Sequence, residues 1–307
     1  MEQPLKVAVI GGSGLGQLLG DAAGDGRRHV VETPFGPPSD AVVEVEWAGV
    51  PVLLLSRHGP GHVLNPSKVP YRANMFALKR LGATHVIATG AVGSLREEFK
   101  PRDLVVPDQV IDKTTARAGT FYDGAAVHVG FDEPFCGVLR KLLLDSTPAD
   151  AKHKVHDRGC YVAMEGPAFS SRAESLMHRL WGGDLIGMTA MPEAKLAREA
   201  ELSYALVALV TDFDSWKAKS EPAAGEPPAD PSALLTEIIG NLQAASANAM
   251  DLIRRAIGKM AEQRESLLAA PSRDALRLAI WSEKSSIPEA EVAKLSPLWG
   301  RHFPATS

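Results

Sequence analysis

Short runs of apolar residues recur along the chain and predict strands at Lys6–Ile10, Val42–Trp47, Val52–Ser56, His85–Thr89, Leu104–Pro107, Tyr161–Glu165, Leu185–Thr189 and Ser203–Val210. Between several of them the pattern turns helical. Arg72–Leu81 and Ser171–Trp181 have helical apolar spacing, and Pro192–Glu201 is rich in Ala, Lys and Glu. Strands alternating with helices predict an α/β domain on a largely parallel or mixed sheet. The run Ser203–Val210 is apolar at nearly every position, as in a strand buried on both faces, and two carboxylates, Asp212 and Asp214, follow it. Ligands of open α/β sheets sit outside the carboxyl ends of the strands. Two acids there serve equally as caps for the next segment or as partners of a ligand.

The pattern changes after Trp216. Residues 217–231 are rich in Pro and Ala and hold no large apolar side chain, which predicts a mobile loop, one that gates entry to a site if the strand ends form one. Ser232–Met260 carries Leu235, Ile238, Ile239, Leu242, Ala245, Leu252, Ile253 and Ile257 at helical spacing and reads as a long amphipathic helix. Ser272 and Ser286 look like N-caps of two further short helices, the second with Glu289 in a capping-box position. The expected organisation is one domain over 1–264 and a helical C-terminal extension over 265–307, packed on the domain or on a neighbouring subunit.

Composition narrows the function classes. A formal net charge of −4 provides no electrostatic footprint for nucleic acid or an anionic membrane. No apolar run approaches the roughly 20 residues that span a bilayer, and Met1–Lys6 enters a strand with no signal-peptide pattern, so the expected compartment is the cytoplasm. The two cysteines, Cys136 and Cys160, have neither metal-ligand spacing nor a disulfide framework.

The strand-end loops carry the candidate chemistry. Gly11–Gly16 follows the first strand but lacks the third glycine of a dinucleotide fingerprint, whose position is Gln17, and lacks a Walker lysine. What remains is a run of free backbone N–H groups with the Ser13 hydroxyl, suited to an anion. Ser56–His62 adds Arg57, a planar fork matched to phosphate oxygens, with His58 beside it. Ala88–Ser94 and Gly187–Glu193 are further small-residue loops. Together they offer N–H groups, hydroxyls, an Arg and carboxylates without a metal cluster, a set suited to phosphate plus an uncharged organic partner.

Ordered motifs then point to a family. GGSGL (11–15), SRHGPGH with NPSKVPYRAN (56–74), GAVGSLREE (90–98), DQVIDKTT (108–115), TFYDG (120–124), EPFC (133–136), EGPAFSSRAES (165–175), GMTAMPEAKLARE (187–199) and TDFDSW (211–216) run across roughly residues 5–260. In these the chain resembles the methylthioadenosine phosphorylases of the trimeric purine nucleoside phosphorylase superfamily. The resemblance implies a single domain with a central mixed, partly barrel-like β-sheet flanked by helices. It implies phosphate contacts at Ser13, Arg57, His58 and Thr189 and at the backbone of Gly90 and Ala91. Similar enzymes often carry a hydroxyl residue at position 90, so that contact is lost here or passes to Thr89. It implies Phe169 and Ser170 on the purine, Met188 on the ribose, Asp212 and Asp214 facing the base, and His128 reaching the 5′ end in a neighbouring subunit of a homotrimer. Inorganic phosphate is then a co-substrate, and neither cofactor nor metal is expected. Rival readings are a phosphorylase for inosine, guanosine or methylthioinosine, and a nucleoside-binding sensor without turnover.

Overall fold

The computed structural model describes residues 4–217 and 231–303. In chain order its elements are β1 (Val7–Gly11), α1 (Leu15–Ala23), β2 (Arg27–His29), β3 (Val42–Trp47), β4 (Val50–Ser56), α2 (Tyr71–Arg80), β5 (His85–Ser94), β6 (Leu104–Val105), β7 (Gln109–Asp112), α3 (Gly137–Leu144), β8 (Val155–His156) and β9 (Cys160–Ala163). There follow α4 (Arg172–Leu180), β10 (Leu185–Gly187), α5 (Ala190–Glu199), β11 (Ser203–Phe213), α6 (Pro231–Lys259), α7 (Arg264–Leu268), α8 (Glu289–Lys294) and α9 (Ser296–Trp299). Of the predicted mobile loop 217–231, residues 218–230 lie outside the described residues.

Strand β1 lies between β4 and β5 and is parallel to both. The long strand β5 has β11 parallel along its other edge, and its last residues pair antiparallel with β10. β10 continues to β9 and β7 in parallel, while β2, β3 and β4 form an antiparallel wing. Of the 11 strands, β2 and β7 end the main path and no pairing joins them. β6 and β8 branch off β11, and the sheet is mixed, flanked by helices as expected, and not closed.

Side-chain alternation explains how the sheet is covered on both faces. Ala8 and Ile10 of β1, with Leu206, Ala208 and Val210 of β11, enter one core cluster. Their neighbours Val7, Val9, Ala205, Val207 and Leu209 enter the other. Helices α2 and α5 close the first face through Met75, Phe76 and Ala194. Helices α1, α3 and α6 close the second through Leu15, Leu139, Ala249 and Ile253. A strand with both faces covered needs apolar residues throughout, as β11 has.

The C-terminal segment shares the first core. Trp299 is fully buried and stacks on Tyr122 at 4.7 Å, and Leu276, Leu295 and Leu298 pack in the same cluster. Arg301 and His302 close on Glu201 at 2.8 and 3.0 Å. The two expected caps do not form. Ser272 is buried inside the turn Pro271–Asp274, bonded to the Ser203 hydroxyl at 2.9 Å. Ser286 points to Glu283, and α8 begins after Pro288, whose side chain has no capping oxygen. A capping box does form at Ser171–Glu174, where no proline intervenes. Among the described residues no helix is long and apolar enough to cross a membrane.

Candidate active site

The site is assembled from the carboxyl ends of β1, β4, β5, β10 and β11. Parallel pairing brings the first three loops side by side, and hydrogen bonds lock them. Arg57 N–H donates to the Gly11 carbonyl at 3.0 Å, and Gly12 N–H donates to Thr89 Oγ1 at 3.2 Å. Gly12 is required by close approach. A Cβ there would stand 2.6 Å from Arg57 Nη1 and 2.7 Å from the Thr89 carbonyl oxygen. The Ser13 hydroxyl lies 3.4 Å from His62 Nε2 at the mouth of this loop.

Arg57 is completely buried. Its Nε and Nη2 donate to the two carboxylate oxygens of Glu193, each at 2.8 Å, and Nη1 donates to the Thr89 carbonyl at 2.7 Å. Burial opposes the charge, but the Glu193 carboxylate more than offsets it and holds the guanidinium more basic than usual. Glu193 is itself fully buried and accepts a further bond from the Tyr204 hydroxyl at 2.8 Å. Three of the five guanidinium N–H groups are thereby engaged, one on each nitrogen.

His58 is held neutral. Burial first, and then the neighbouring Arg57 charge, lower its pKa to about 4. Its Nδ1 donates to the Leu64 carbonyl at 2.7 Å, which leaves Nε2 as an acceptor. His58 and His62 line a cavity of about 630 Å³ that runs from Gly11, Gly12 and Gly14 to Arg28 and Asp40. This cavity reaches the glycine-loop side of the site only; Asp212 and Asp214 do not line it.

The acid pair owes its placement to a bulge. β11 runs in register with β5 up to Val210, shifts by one residue, and resumes with Asp212 opposite Gly93. The bulge re-aims the strand end. Asp212 is partly buried, and desolvation raises its pKa, helped by the Asp214 charge and opposed by the Thr211 hydroxyl. Thr211 Oγ1 lies 2.6 Å from Asp212 Oδ2 and 3.2 Å from the Val92 carbonyl oxygen. Asp214 is buried, and its Oδ2 has no hydrogen-bond partner among the described residues. Ser215 Oγ donates to the Ser170 carbonyl at 2.8 Å, which draws the acid loop onto the 169–170 segment. Ser170 is buried beside Met164, whereas Phe169 is 85% exposed.

Residues 6–258 match the model of the phosphorylase superfamily. The chain belongs to that superfamily. It is 44% identical over 301 residues to the S-methyl-5′-thioadenosine phosphorylase of Synechocystis, which covers 97% of this chain and 88% of the relative. The enzyme of the same name from Chloroflexus aurantiacus is 44% identical over 299 residues, 97% of this chain and 98% of the relative. Among solved structures, a methylthioadenosine phosphorylase from an antarctic soil metagenomic library superimposes with a TM-score of 0.85 at 40% identity, covering 99% of this chain and all of that one. A Schistosoma mansoni methylthioadenosine phosphorylase in complex with adenine gives 0.78 at 34%, over 91% of this chain and 100% of that one.

Set in this phosphorylase frame, the expected residues form two groups joined by Thr189. Ser13, Arg57, His58, Gly90 and Ala91 lie around the β1, β4 and β5 loops. Phe169, Ser170, Met188, Asp212 and Asp214 lie around the β5, β10 and β11 ends. Thr189 is buried, and its Oγ1 is 3.4 Å from where a Gly90 Cβ would sit. Thr89 does not replace a side chain at 90, because its hydroxyl accepts from Gly12 and donates to the Ile10 carbonyl at 3.3 Å. His128 stands apart from both groups. It is exposed, its ring lies 4.5 Å from that of Trp281, and its N–H donates to the Ala279 carbonyl.

Several residues of this site escaped the sequence reading. Glu193 sat in a helix rich in Ala, Lys and Glu, where a glutamate reads as solvated. Tyr204 sat beside Ser203 at the start of an otherwise apolar strand, where nothing local marked its hydroxyl as a partner of Glu193. Asn241 of α6 donates to the Thr211 carbonyl at 3.0 Å and accepts from Arg102 Nε at 2.8 Å, pinning the bulge from behind.

Proposed function

We propose that this phosphorylase cleaves 5′-methylthioadenosine with inorganic phosphate to adenine and 5-methylthioribose 1-phosphate, a pentosyl transfer in methionine and purine salvage. The observation that carries the choice of base is the acid pair at the end of β11. Adenine presents N7 as an acceptor and its 6-amino group as a donor, whereas a 6-oxopurine presents two acceptors. The unpartnered Oδ2 of buried Asp214 calls for a donor, and the 6-amino group supplies one. Asp212, with its raised pKa, is the proton donor to N7.

The chemistry follows from these roles. The glycosidic bond breaks through a ribosyl cation-like transition state, and the departing base gathers negative charge at N7. Protonated Asp212 transfers its proton there. Thr211 orients that carboxyl group through the hydrogen bond its hydroxyl donates to Asp212 Oδ2. Phosphate, held by Arg57, Ser13, Thr189 and the backbone at Gly90 and Ala91, attacks the anomeric carbon and stabilises the developing cation. Neutral His58 orients the phosphate by accepting from its P–O–H group. No cofactor or metal takes part. Met188 contacts the ribose, and Phe169 covers the base. The exposure of Phe169 and the separation of His128 from the other site residues support a homotrimer in which His128 serves the 5′ end of a neighbouring pocket. The expected compartment is the cytoplasm.

With phosphate present, 5′-methylthioadenosine should release adenine faster than methylthioinosine or inosine release hypoxanthine. Equal or greater hypoxanthine release assigns the chain to 6-oxopurines instead. Gly12→Ala crowds Arg57, and overpacking of this kind costs about 1–3 kcal/mol. The phosphate KM should therefore rise about tenfold or more while adenine affinity stays put. An unchanged phosphate KM would separate the glycine loop from phosphate.

A further inference from the structure

Arg117 lies between two sequence motifs that the mechanism above leaves without a role, DQVIDKTT (108–115) and TFYDG (120–124). Its side chain is 1% exposed. Nε donates to Glu165 Oε1 at 3.1 Å, and Nη2 donates to the Glu165 carbonyl at 2.6 Å. Nη1 donates to the carbonyls of Met188 and Met191, the latter at 2.7 Å, with the Tyr71 hydroxyl at 3.2 Å. Tyr71 gives its own proton to the Pro66 carbonyl, so towards Arg117 it acts as an acceptor. The Tyr71 ring also lies 5.5 Å from the guanidinium carbon.

These acceptors belong to the loops after β9 and β10 and to the starts of α5 and α2. The peptide between Met188 and Thr189 is clamped on both sides, its carbonyl by Arg117 and its N–H by the Tyr161 hydroxyl at 3.3 Å. Glu165 anchors the arginine in turn, because Ser67 Oγ and the backbone N–H groups of Thr115 and Ala116 all donate to its carboxylate. Only a planar fork spans a carboxylate and carbonyls of two loops at once, which a lysine ammonium does not.

We propose that Arg117 is a positioning residue that fixes the plane of the 188–189 peptide, and so sets the sugar contact at Met188 against the phosphate contact at Thr189. This rests on the reading of Met188 and Thr189 given above. Loss of the clamp misplaces the anomeric carbon relative to phosphate, and a misplacement of about 1 Å costs on the order of 10²-fold in rate. The base, held by Asp212 and Asp214, does not depend on the clamp.

The test compares wild type with Arg117→Ala and Arg117→Lys, measuring kcat, the KM of each substrate, and the dissociation constant of adenine alone by calorimetry. Both variants should lose on the order of 10²-fold in kcat and bind 5′-methylthioadenosine at least about fivefold more weakly, with adenine binding within twofold of wild type. Added methylguanidinium should partly restore Arg117→Ala and leave Arg117→Lys unchanged. The proposal is overturned if kcat and nucleoside affinity stay within twofold, or if adenine binding falls in parallel with nucleoside binding. Arg117→Lys, which keeps the buried charge, decides the matter if the alanine variant does not fold. Wild type without turnover would retire the phosphorolysis reading, while the contrast between adenine and nucleoside binding would still judge Arg117.

Discussion

Asp212→Asn should lower kcat on 5′-methylthioadenosine by ~10²–10⁴-fold, the usual worth of a general acid, while the phosphate KM changes little. The amide keeps a hydrogen bond to N7 but has no proton to transfer. An amide N–H also suits an acceptor at position 6, so the rate on adenine nucleosides should fall further than the rate on hypoxanthine nucleosides. The sign of the pH effect follows from burial. Desolvation raises the Asp212 pKa, so the acid form persists above the ordinary carboxylate range and kcat falls as pH rises through the raised value. Wild-type kcat profiles should show this alkaline loss, and the Asn variant should be flat over the same range. An Asn variant with wild-type kcat would remove Asp212 from the mechanism.

The second large effect concerns Glu193. Glu193→Ala strips the bidentate partner from a completely buried guanidinium. Breaking one half of a buried ion pair costs about 3–5 kcal/mol. Denaturant unfolding should show a lower midpoint with an unchanged slope. Glu193→Gln retains the shape and one acceptor oxygen, so it should be less destabilised. Its main defect should be a raised phosphate KM, because the Arg57 fork loses the charge that orients it. A loss below about 1 kcal/mol in Glu193→Ala would mean that the pair does not hold Arg57 in place. Tyr204→Phe removes only the hydroxyl that donates to Glu193 and serves as the milder member of the series.

How much of this was legible in the sequence depended on whether local pattern or distant contact decides a residue's fate. β11 was legible because a two-sided strand is written in consecutive residues, and its acids were legible because they break an apolar run. The predicted strand stopped at Val210, and the observed one continues to Phe213 through a bulge at Thr211. A bulge depends on the partner strand and leaves no periodic trace. The wing strand β2 and the short β7 were missed, since Arg-Arg-His and Gln-Val-Ile-Asp carry too little apolar alternation. Glu193, Asn241 and Arg117 were invisible for a related reason. Each is polar, and each is buried by a partner far away in sequence, such as Arg57 for Glu193 and Met188 for Arg117. The tail 265–307 had two expected packing partners, the domain or a neighbouring subunit, and its own residues did not choose between them. In the fold Trp299 is part of the main core.

The central claim is that phosphate, and not water, takes the sugar from the base. Wild-type protein is incubated with 5′-methylthioadenosine at matched ionic strength with and without inorganic phosphate, and adenine and sugar 1-phosphate are quantified together. Adenine and 5-methylthioribose 1-phosphate should appear in equal amounts with phosphate, and neither without it. Adenine released at the same rate without phosphate, or no adenine under either condition, would contradict the account.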